Sequence, residues 1–288
     1  MLALFFLRSV VLVCRFVPFP VLYLLSDGMS FLLEKVVRYR HRVITENLRR
    51  AFPEKSDGEI KQIARETYRN LTDVTLETIK SYTTSLEEIR RRCQVLNPEL
   101  VTEYLDRGQS VILAGSHVGN WEYGGLTLPD GLDQKLYGVY KPMTNQAVCN
   151  YVSQKRSRGG IVTVPMEDVL GVMRKQNKTQ AWAYMLISDQ SPSSRKRAHW
   201  VDFFGQETAS LPGVDVLSRT FEWPVFRYQI KRIRRGYYEI EYAPLWLDPA
   251  SAAEGDITRR YTRLLEQEIR TQPENWLWSH KRWKMHRD

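Results

Sequence analysis

The sequence has little cysteine and shows no linker, repeat or zinc-ligand spacing. Three of its 288 residues are cysteine, at positions 14, 93 and 149, with no CxxC pair. This spacing argues against a disulfide framework and favours reduced thiols in a body that faces the cytosol. Beyond a His–Glu pair near position 117 there is no cluster of metal ligands, so we expect neither a metal nor another cofactor.

Basic charge is in excess. The net charge is +9 at pH 7 and the isoelectric point is about 9.4, which indicates an anionic partner. No zinc-finger spacing, RNP-like motif or basic zipper accompanies the charge, so we expect no nucleic-acid partner. An acidic carrier protein or an anionic membrane surface fits better.

The N-terminus carries the one long apolar run, Leu2 to Leu25. Two arginines and two prolines interrupt it: Arg8, Arg15, Pro18 and Pro20. Ser26-Asp-Gly-Met29 is a poor signal-peptide cleavage site. A central arginine costs roughly 2.5–3.5 kcal/mol in a spanning helix, so an imperfect single span and an interfacial segment with snorkelling arginines both stay open. We expect residues 1–26 to be membrane-associated, and the basic run 38–50 to favour the cytosolic side.

Beyond the helical segment 47–80, strand-like and helical runs alternate. Predicted strands are Val111–Ala114, Leu136–Tyr140, Ile161–Val164 and Ala181–Ile187, separated by helices, and Val225–Ile230 with Tyr237–Tyr242 form a hairpin. This order predicts one α/β domain over residues 27–288, with a largely parallel central sheet flanked by helices, preceded by an N-terminal membrane helix and a helical layer. Active sites in such folds lie beyond the carboxyl ends of the strands.

His117-Val-Gly-Asn-Trp-Glu122 follows the first of these strands and is the strongest chemical signal. In one unbroken helix residues five apart are about 140° apart around the axis, so the imidazole and the carboxylate can meet only if the chain turns between them. Gly119 supplies a turn, and Asn120 can cap a helix from Trp121. The pair predicts His117 as a general base that Glu122 orients.

The stretch resembles the HxGNWE signature of the late acyltransferases of lipid A biosynthesis, a lauroyl/myristoyl transferase family in the lysophospholipid acyltransferase superfamily. Further matches, in order, are Arg65–Asn70, Tyr140–Pro142, Lys155–Gly159, Ser188–Gln190, Asp202–Gly205 and Pro273–Lys284. The resemblance implies transfer of a fatty acyl chain from acyl carrier protein to a hydroxyl of a membrane glycolipid.

The same resemblance implies further site residues. Candidate substrate-binding residues are Asn120, Lys141, Arg158 and Asp189. Lys141 stands where the family usually has Arg, and a lysine is a point charge that cannot bind phosphate with two parallel hydrogen bonds. Phe203 and Phe204 are candidate acyl-groove residues, and three tryptophans near the C-terminus suit a lipid headgroup interface.

We therefore expect an acyltransferase at the cytosolic face of a bacterial inner membrane that acylates an anionic lipid A precursor. Three alternatives stay open from the sequence. The first is a non-enzymatic membrane or lipid-binding protein with a decayed site, against which the intact HVGNWE argues; the other two are enzymes. One keeps the chemistry but changes the acceptor to another membrane glycolipid or a lysophospholipid. The other replaces the acceptor by water, which gives an acyl-thioester or ester hydrolase.

Overall fold

A central sheet, seven-stranded in the part of the chain that the structure describes, organises the fold. The structure, a computed structural model, describes residues 2–132, 135–176 and 180–287. The strands are β1 Cys93–Val95, β2 Val111–Gly115, β3 Leu136–Tyr140, β4 Val162–Pro165, β5 Ala183–Ile187, β6 His199–Phe203, β7 Gln206–Ser210, β8 Val225–Arg234 and β9 Tyr237–Trp246. The sheet order is β1-β9-β8-β2-β5-β3-β4, and β6 pairs with β7 separately. Strands β8, β2, β5, β3 and β4 are mutually parallel, and β8–β9 is an antiparallel hairpin. The predicted α/β fold with a largely parallel sheet is confirmed.

Helices cover both faces of this sheet. They are α1 Leu2–Phe16, α2 Phe19–Phe31, α3 His41–Ala51, α4 Asp57–Ser81, α5 Leu86–Arg92, α6 Glu99–Asp106, α7 Trp121–Thr127, α8 Gln146–Arg156, α9 Val169–Gln176, α10 Gly213–Phe221 and α11 Asp256–Thr271. A π-helical segment, Leu32–Val36, continues α2. Ser56 caps the start of α4 and forms a capping box with Glu59.

Two apolar cores lie on the two faces of the sheet because strand side chains alternate. Ile112 and Ala114 of β2 join a core with residues of α3, α4, α9, α10 and α11. Val111 and Leu113 join the other core, with residues of α5, α6 and α7. The carboxyl ends of β2 and β5 meet at one edge, where Gly115 is in register with Ile187.

The expected membrane helix over residues 1–26 is wrong as a single element. The chain forms α1 and α2 with a break at Val17-Pro18, because proline has no N–H to continue the helix and disfavours helical geometry in the residue before it. Within the described ranges, no helix has the length and apolar composition that crossing a membrane requires. Lys80 of α4 donates to the carbonyls of Cys14 and Arg15, both at 2.9 Å. These two bonds hold the C-terminal end of α1 against α4.

Candidate active site

The loop between β2 and α7 places His117 at the carboxyl edge of the sheet. Gly119 turns the chain with a φ of +61°, a conformation that favours glycine. The Asn120 side chain accepts from the N–H of Tyr123 at 2.9 Å and caps α7, as the sequence predicts. The C-terminal segment fixes the loop from the other side, because the N–H of Gly119 donates to the carbonyl of Asn275 at 3.0 Å.

Asp189 is the hydrogen-bond partner of the His117 ring. It lies two residues beyond the end of β5, as His117 lies two beyond the end of β2. Its Oδ1 is 2.7 Å from Nδ1 of His117, and its Oδ2 accepts from the His117 backbone N–H at 2.9 Å. The indole N–H of Trp276 donates to the same Oδ2 at 2.8 Å. The carboxylate is buried and held in place by three donors.

The electrostatics of this pair define the tautomer. Burial raises the pKa of Asp189, but the charge and hydrogen bonds of His117 and the Trp276 indole outweigh it and lower the pKa to about 2. An ionised Asp189 can only accept, so Nδ1 of His117 carries the proton and Nε2 keeps its lone pair. Burial lowers the pKa of His117, but Asp189 outweighs it and raises that pKa above its ordinary value. The pair can therefore take a proton from a bound hydroxyl or water.

Glu122 does not make the expected contact with the His117 ring. Its carboxylate accepts two hydrogen bonds from Arg156 of α8, at 2.9 Å from Nε and 2.5 Å from Nη2. The orienting hydrogen bond that the sequence assigns to Glu122 is made by Asp189. Glu122 and Arg156 form a second, charge-paired unit close to the imidazole.

His117, Glu122 and Arg156 line one cavity of about 460 Å³, within the usual size range of small-molecule sites. Its polar lining also includes Lys141, Gln190, Ser191, His280 and Lys284, and its apolar lining includes Val139, Met143, Ile161, Met166, Met185 and Ile187. A basic, polar part and an apolar part thus share one space beside the imidazole.

The other predicted site residues are divided between the cavity and the scaffold. Lys141 lines the cavity. Asn120 is fully buried outside the cavity, and its amide N–H donates to Glu77 at 2.7 Å. Arg158 donates to the carbonyls of Ser81 and Thr84 at 2.7 and 2.8 Å and so caps the end of α4. Neither Asn120 nor Arg158 lines the cavity next to His117.

The aromatic residues predicted to bind lipid pack in the core of the protein. Phe203 and Phe204 are buried against the C-terminal tryptophans and do not line the cavity. Trp276 and Trp278 are themselves buried, with ring centroids 4.7 Å apart. These tryptophans serve the core and, through Trp276, the site itself; they are not an exposed headgroup interface.

Sequence reasoning missed Arg156 and His280. Arg156 lies within the Lys155–Gly159 match, but the resemblance points to Arg158 two residues later. The Nε2 atom of His280 accepts from the N–H of Ser191 at 3.1 Å, and burial lowers the pKa of His280 to about 4. It is a neutral hydrogen-bonding group in the cavity wall. No signal in the sequence separates it from a packing histidine.

Comparisons with known proteins identify the family of the chain. The profile of the bacterial lipid A biosynthesis acyltransferases matches residues 2–285. The lipid A biosynthesis palmitoleoyltransferase of Escherichia coli (strain K12) is 23% identical over 269 residues, which cover 93% of this chain and 86% of that protein. The lauroyltransferase of the same strain is 23% identical over 270 residues, with 93% and 86% covered. The lipid A biosynthesis acyltransferase of Haemophilus influenzae is 24% identical over 287 residues, with 96% and 85% covered. The chain belongs to the bacterial lipid A biosynthesis acyltransferase family and is an acyltransferase of lipid A synthesis.

Proposed function

We propose that this acyltransferase takes a fatty acyl chain from acyl carrier protein and transfers it to a hydroxyl of a lipid A precursor, with His117 as general base. One observation carries the proposal: the Asp189–His117 pair faces a cavity that has both basic and apolar lining. An acyl chain needs the apolar part, and a phosphorylated acceptor or the phosphate of a phosphopantetheine arm needs the basic part.

The chemistry follows from the two ring nitrogens. Nδ1–H donates to Asp189, and Nε2 takes the proton of the acceptor hydroxyl as its oxygen attacks the thioester carbonyl. The tetrahedral intermediate collapses, the C–S bond breaks, and the imidazolium returns the proton to the leaving thiolate. The products are an acyl ester and a free thiol, and no acyl-enzyme forms. Asp189 stabilises the imidazolium between these two steps.

The Glu122–Arg156 pair completes the site electrostatically. Glu122 holds the guanidinium beside the imidazole, and the N–H groups that Glu122 does not use are available to a developing oxyanion or an acceptor phosphate. Lys141 and Lys284 add point charges to the cavity lining. They provide contacts for the anionic acceptor and for the acidic carrier.

We expect Glu122→Gln and Arg156→Gln each to lower kcat/KM about tenfold to a hundredfold, the range for a lost hydrogen bond to a charged group. Because Glu122 acts through Arg156, the double variant should lose little more than the worse single one. Steady-state kinetics of the four proteins measures this. Glu103→Gln, in the exposed Glu103–Arg107 pair of α6, is the matched control. Fully additive losses would contradict the coupling.

The N-terminal helices are the proposed membrane contact. Phe5, Phe6 and Phe16 of α1 are 70–75% exposed, and Leu24 and Leu25 of α2 are exposed as well. Exposed apolar surface of this kind marks an interaction site. It suits a lipid interface at the cytosolic face of the bacterial inner membrane, next to the basic segment 38–50.

Replacing Phe5, Phe6 and Phe16 together by serine should therefore weaken binding to vesicles of phosphatidylethanolamine and phosphatidylglycerol. Each buried phenylalanine is worth about 1.5–3 kcal/mol, or roughly a tenfold or larger change in partitioning for each ring that inserts. Cosedimentation measures the partition coefficient. Leu247→Ser, at an apolar residue exposed after β9, is the control. Unchanged binding of the triple variant would exclude α1 as the contact.

The lipid profile of a deletion strain tests the acceptor. We expect its lipid A to lack one acyl chain, and the wild-type gene to restore that chain while a His117→Ala copy does not. Complete lipid A together with the loss of an acyl chain from another glycolipid or a lysophospholipid would overturn the proposed acceptor.

A further inference from the structure

The catalytic cavity continues away from His117 between α7 and the sheet. Trp121 and Glu122 line it at the start of α7, and Gly125 lines it about one helical turn farther on. On the sheet, Gly138 of β3 and Met185 of β5 line it from adjacent positions in register. Met185 lies two residues, about 7 Å, behind Ile187 at the carboxyl edge. The space therefore runs inward from the catalytic end.

Gly125 is the position where this inner part is open. Although Gly125 is buried, a Cβ atom built there would have no heavy atom within 4 Å. Its neighbours differ. A Cβ at Gly124 would lie 2.8 Å from the Cδ1 of Ile230, and one at Gly138 would lie 2.5 Å from the Cδ1 of Ile161. Gly138 is thus covered by Ile161, which forms the floor, whereas Gly125 faces empty space.

The lining of this inner part is suited to an unbranched hydrocarbon. Ile161 and Met185 are buried apolar side chains, and methionine adapts its shape to flexible apolar ligands. Lys141 and Gln190 follow the carboxyl ends of β3 and β5, and His280 and Lys284 belong to the C-terminal segment, where His280 contacts Ser191 beyond β5. Thr163 of β4, in register with Gly138, adds one hydroxyl at this depth. One hydroxyl does not replace the hydrogen bonds that a sugar or phosphate makes with water.

We propose that the donor's acyl chain lies against Gly125, and that the missing side chain at this position sets the chain length the enzyme accepts. The inference rests on the proposed function, because it assigns the acyl chain to one part of the proposed site. A side chain at Gly125 shortens this inner part of the cavity, the slot, from the side of α7. The reacting carbonyl stays at His117, so long chains lose their place while short ones still fit.

Variants of Gly125 test this without an expected loss of folding. Alanine and methionine are both better helix formers than glycine, and the open space accepts them. The matched control is Gly171 of α9, which is also helical, has no heavy atom within 4 Å of a built Cβ, and is exposed outside the cavity. Gly171→Ala and Gly171→Met repeat the change in helix propensity without filling the slot.

The experiment measures kcat/KM with acyl carrier protein bearing decanoyl, lauroyl, myristoyl or palmitoyl chains. One methylene in an apolar pocket is worth about tenfold or more. We expect Gly125→Ala to lower the ratio of the longest accepted chain to the next shorter one about tenfold. Gly125→Met should move the optimum to a shorter chain, and the Gly171 variants should keep the wild-type profile. A folded Gly125→Met enzyme with the wild-type profile would overturn the inference.

A binding series separates this inference from the proposed function. The thermal stabilisation of each protein by decanoate, laurate, myristate and palmitate needs neither carrier nor acceptor. Wild-type protein that transfers no chain from any donor contradicts the proposed function. Even then, Gly125→Met should lose stabilisation by palmitate and keep that by decanoate. Equal stabilisation of both proteins by every chain would contradict the slot.

Discussion

Asp189→Asn is expected to lower kcat about 10⁴-fold while the protein stays folded, the loss seen when an aspartate that orients a catalytic histidine becomes asparagine. The asparagine oxygen can still accept from Trp276 or the His117 backbone N–H, but its NH₂ group then faces Nδ1. Nδ1 must accept, so the proton moves to Nε2 and the base is lost. Single-turnover transfer from acyl carrier protein, with Tm measured alongside, gives the result.

Asp202→Asn, at an exposed carboxylate in β6 that does not line the cavity, is the control and should keep the wild-type rate. A smaller, hundredfold effect of Asp189→Asn would mean that Asp189 only stabilises the imidazolium and does not select the tautomer. A rate equal to that of the wild type in folded Asp189→Asn would remove Asp189 from the mechanism.

His117→Ala is expected to lower kcat by about 10²–10⁴-fold, the usual contribution of a general base, and to abolish one limb of the pH profile. The base must be neutral, and Asp189 raises the pKa of His117 above the ordinary value of 6.5. Wild-type kcat/KM should therefore rise with pH, reach half its maximum above pH 6.5, and then level off. Asp189→Asn removes the charge that raises the pKa and leaves burial to lower it, so any residual limb should move to lower pH.

His286→Ala, at an exposed histidine that does not line the cavity, provides the comparison and should keep both the rate and the limb. Persistence of the wild-type pH limb in folded His117→Ala would assign the titration to another group.

Local features of the site could be predicted from the sequence because they depend on neighbouring residues. The turn at Gly119, the Asn120 cap and the hairpin across Arg235-Gly236 each follow from residue types within a few positions. The alternation of strands and helices predicted the parallel sheet for the same reason.

The partner of His117 could not be read from local spacing, because Asp189 is 72 residues away. The contact depends on β2 lying beside β5 in the sheet. The order of strands in a sheet cannot be read from the sequence pattern alone. One signal was present: His117 and Asp189 both stand two residues after a buried strand, and the carboxyl ends of parallel strands share one edge. The sequence pattern assigns the orienting role to Glu122 only because Glu122 is five residues from His117.

Burial of the tryptophans could not be predicted from the sequence either. Trp276 and Trp278 stand a few residues before Lys281 and Arg282 in the sequence. A headgroup interface and a core closed by a basic tail share this pattern. Only the tertiary position of the C-terminal segment, which pairs Trp276 with the His117 loop, distinguishes them.

The most direct test of the central claim is mass spectrometry of a reaction that contains the purified protein, labelled acyl carrier protein thioester and a lipid A precursor. The account predicts that the precursor gains one labelled acyl chain, that free thiol appears in equal amount, and that His117→Ala stops both. Release of labelled free fatty acid at the same rate with and without the precursor, and no gain in mass by the precursor, would contradict it.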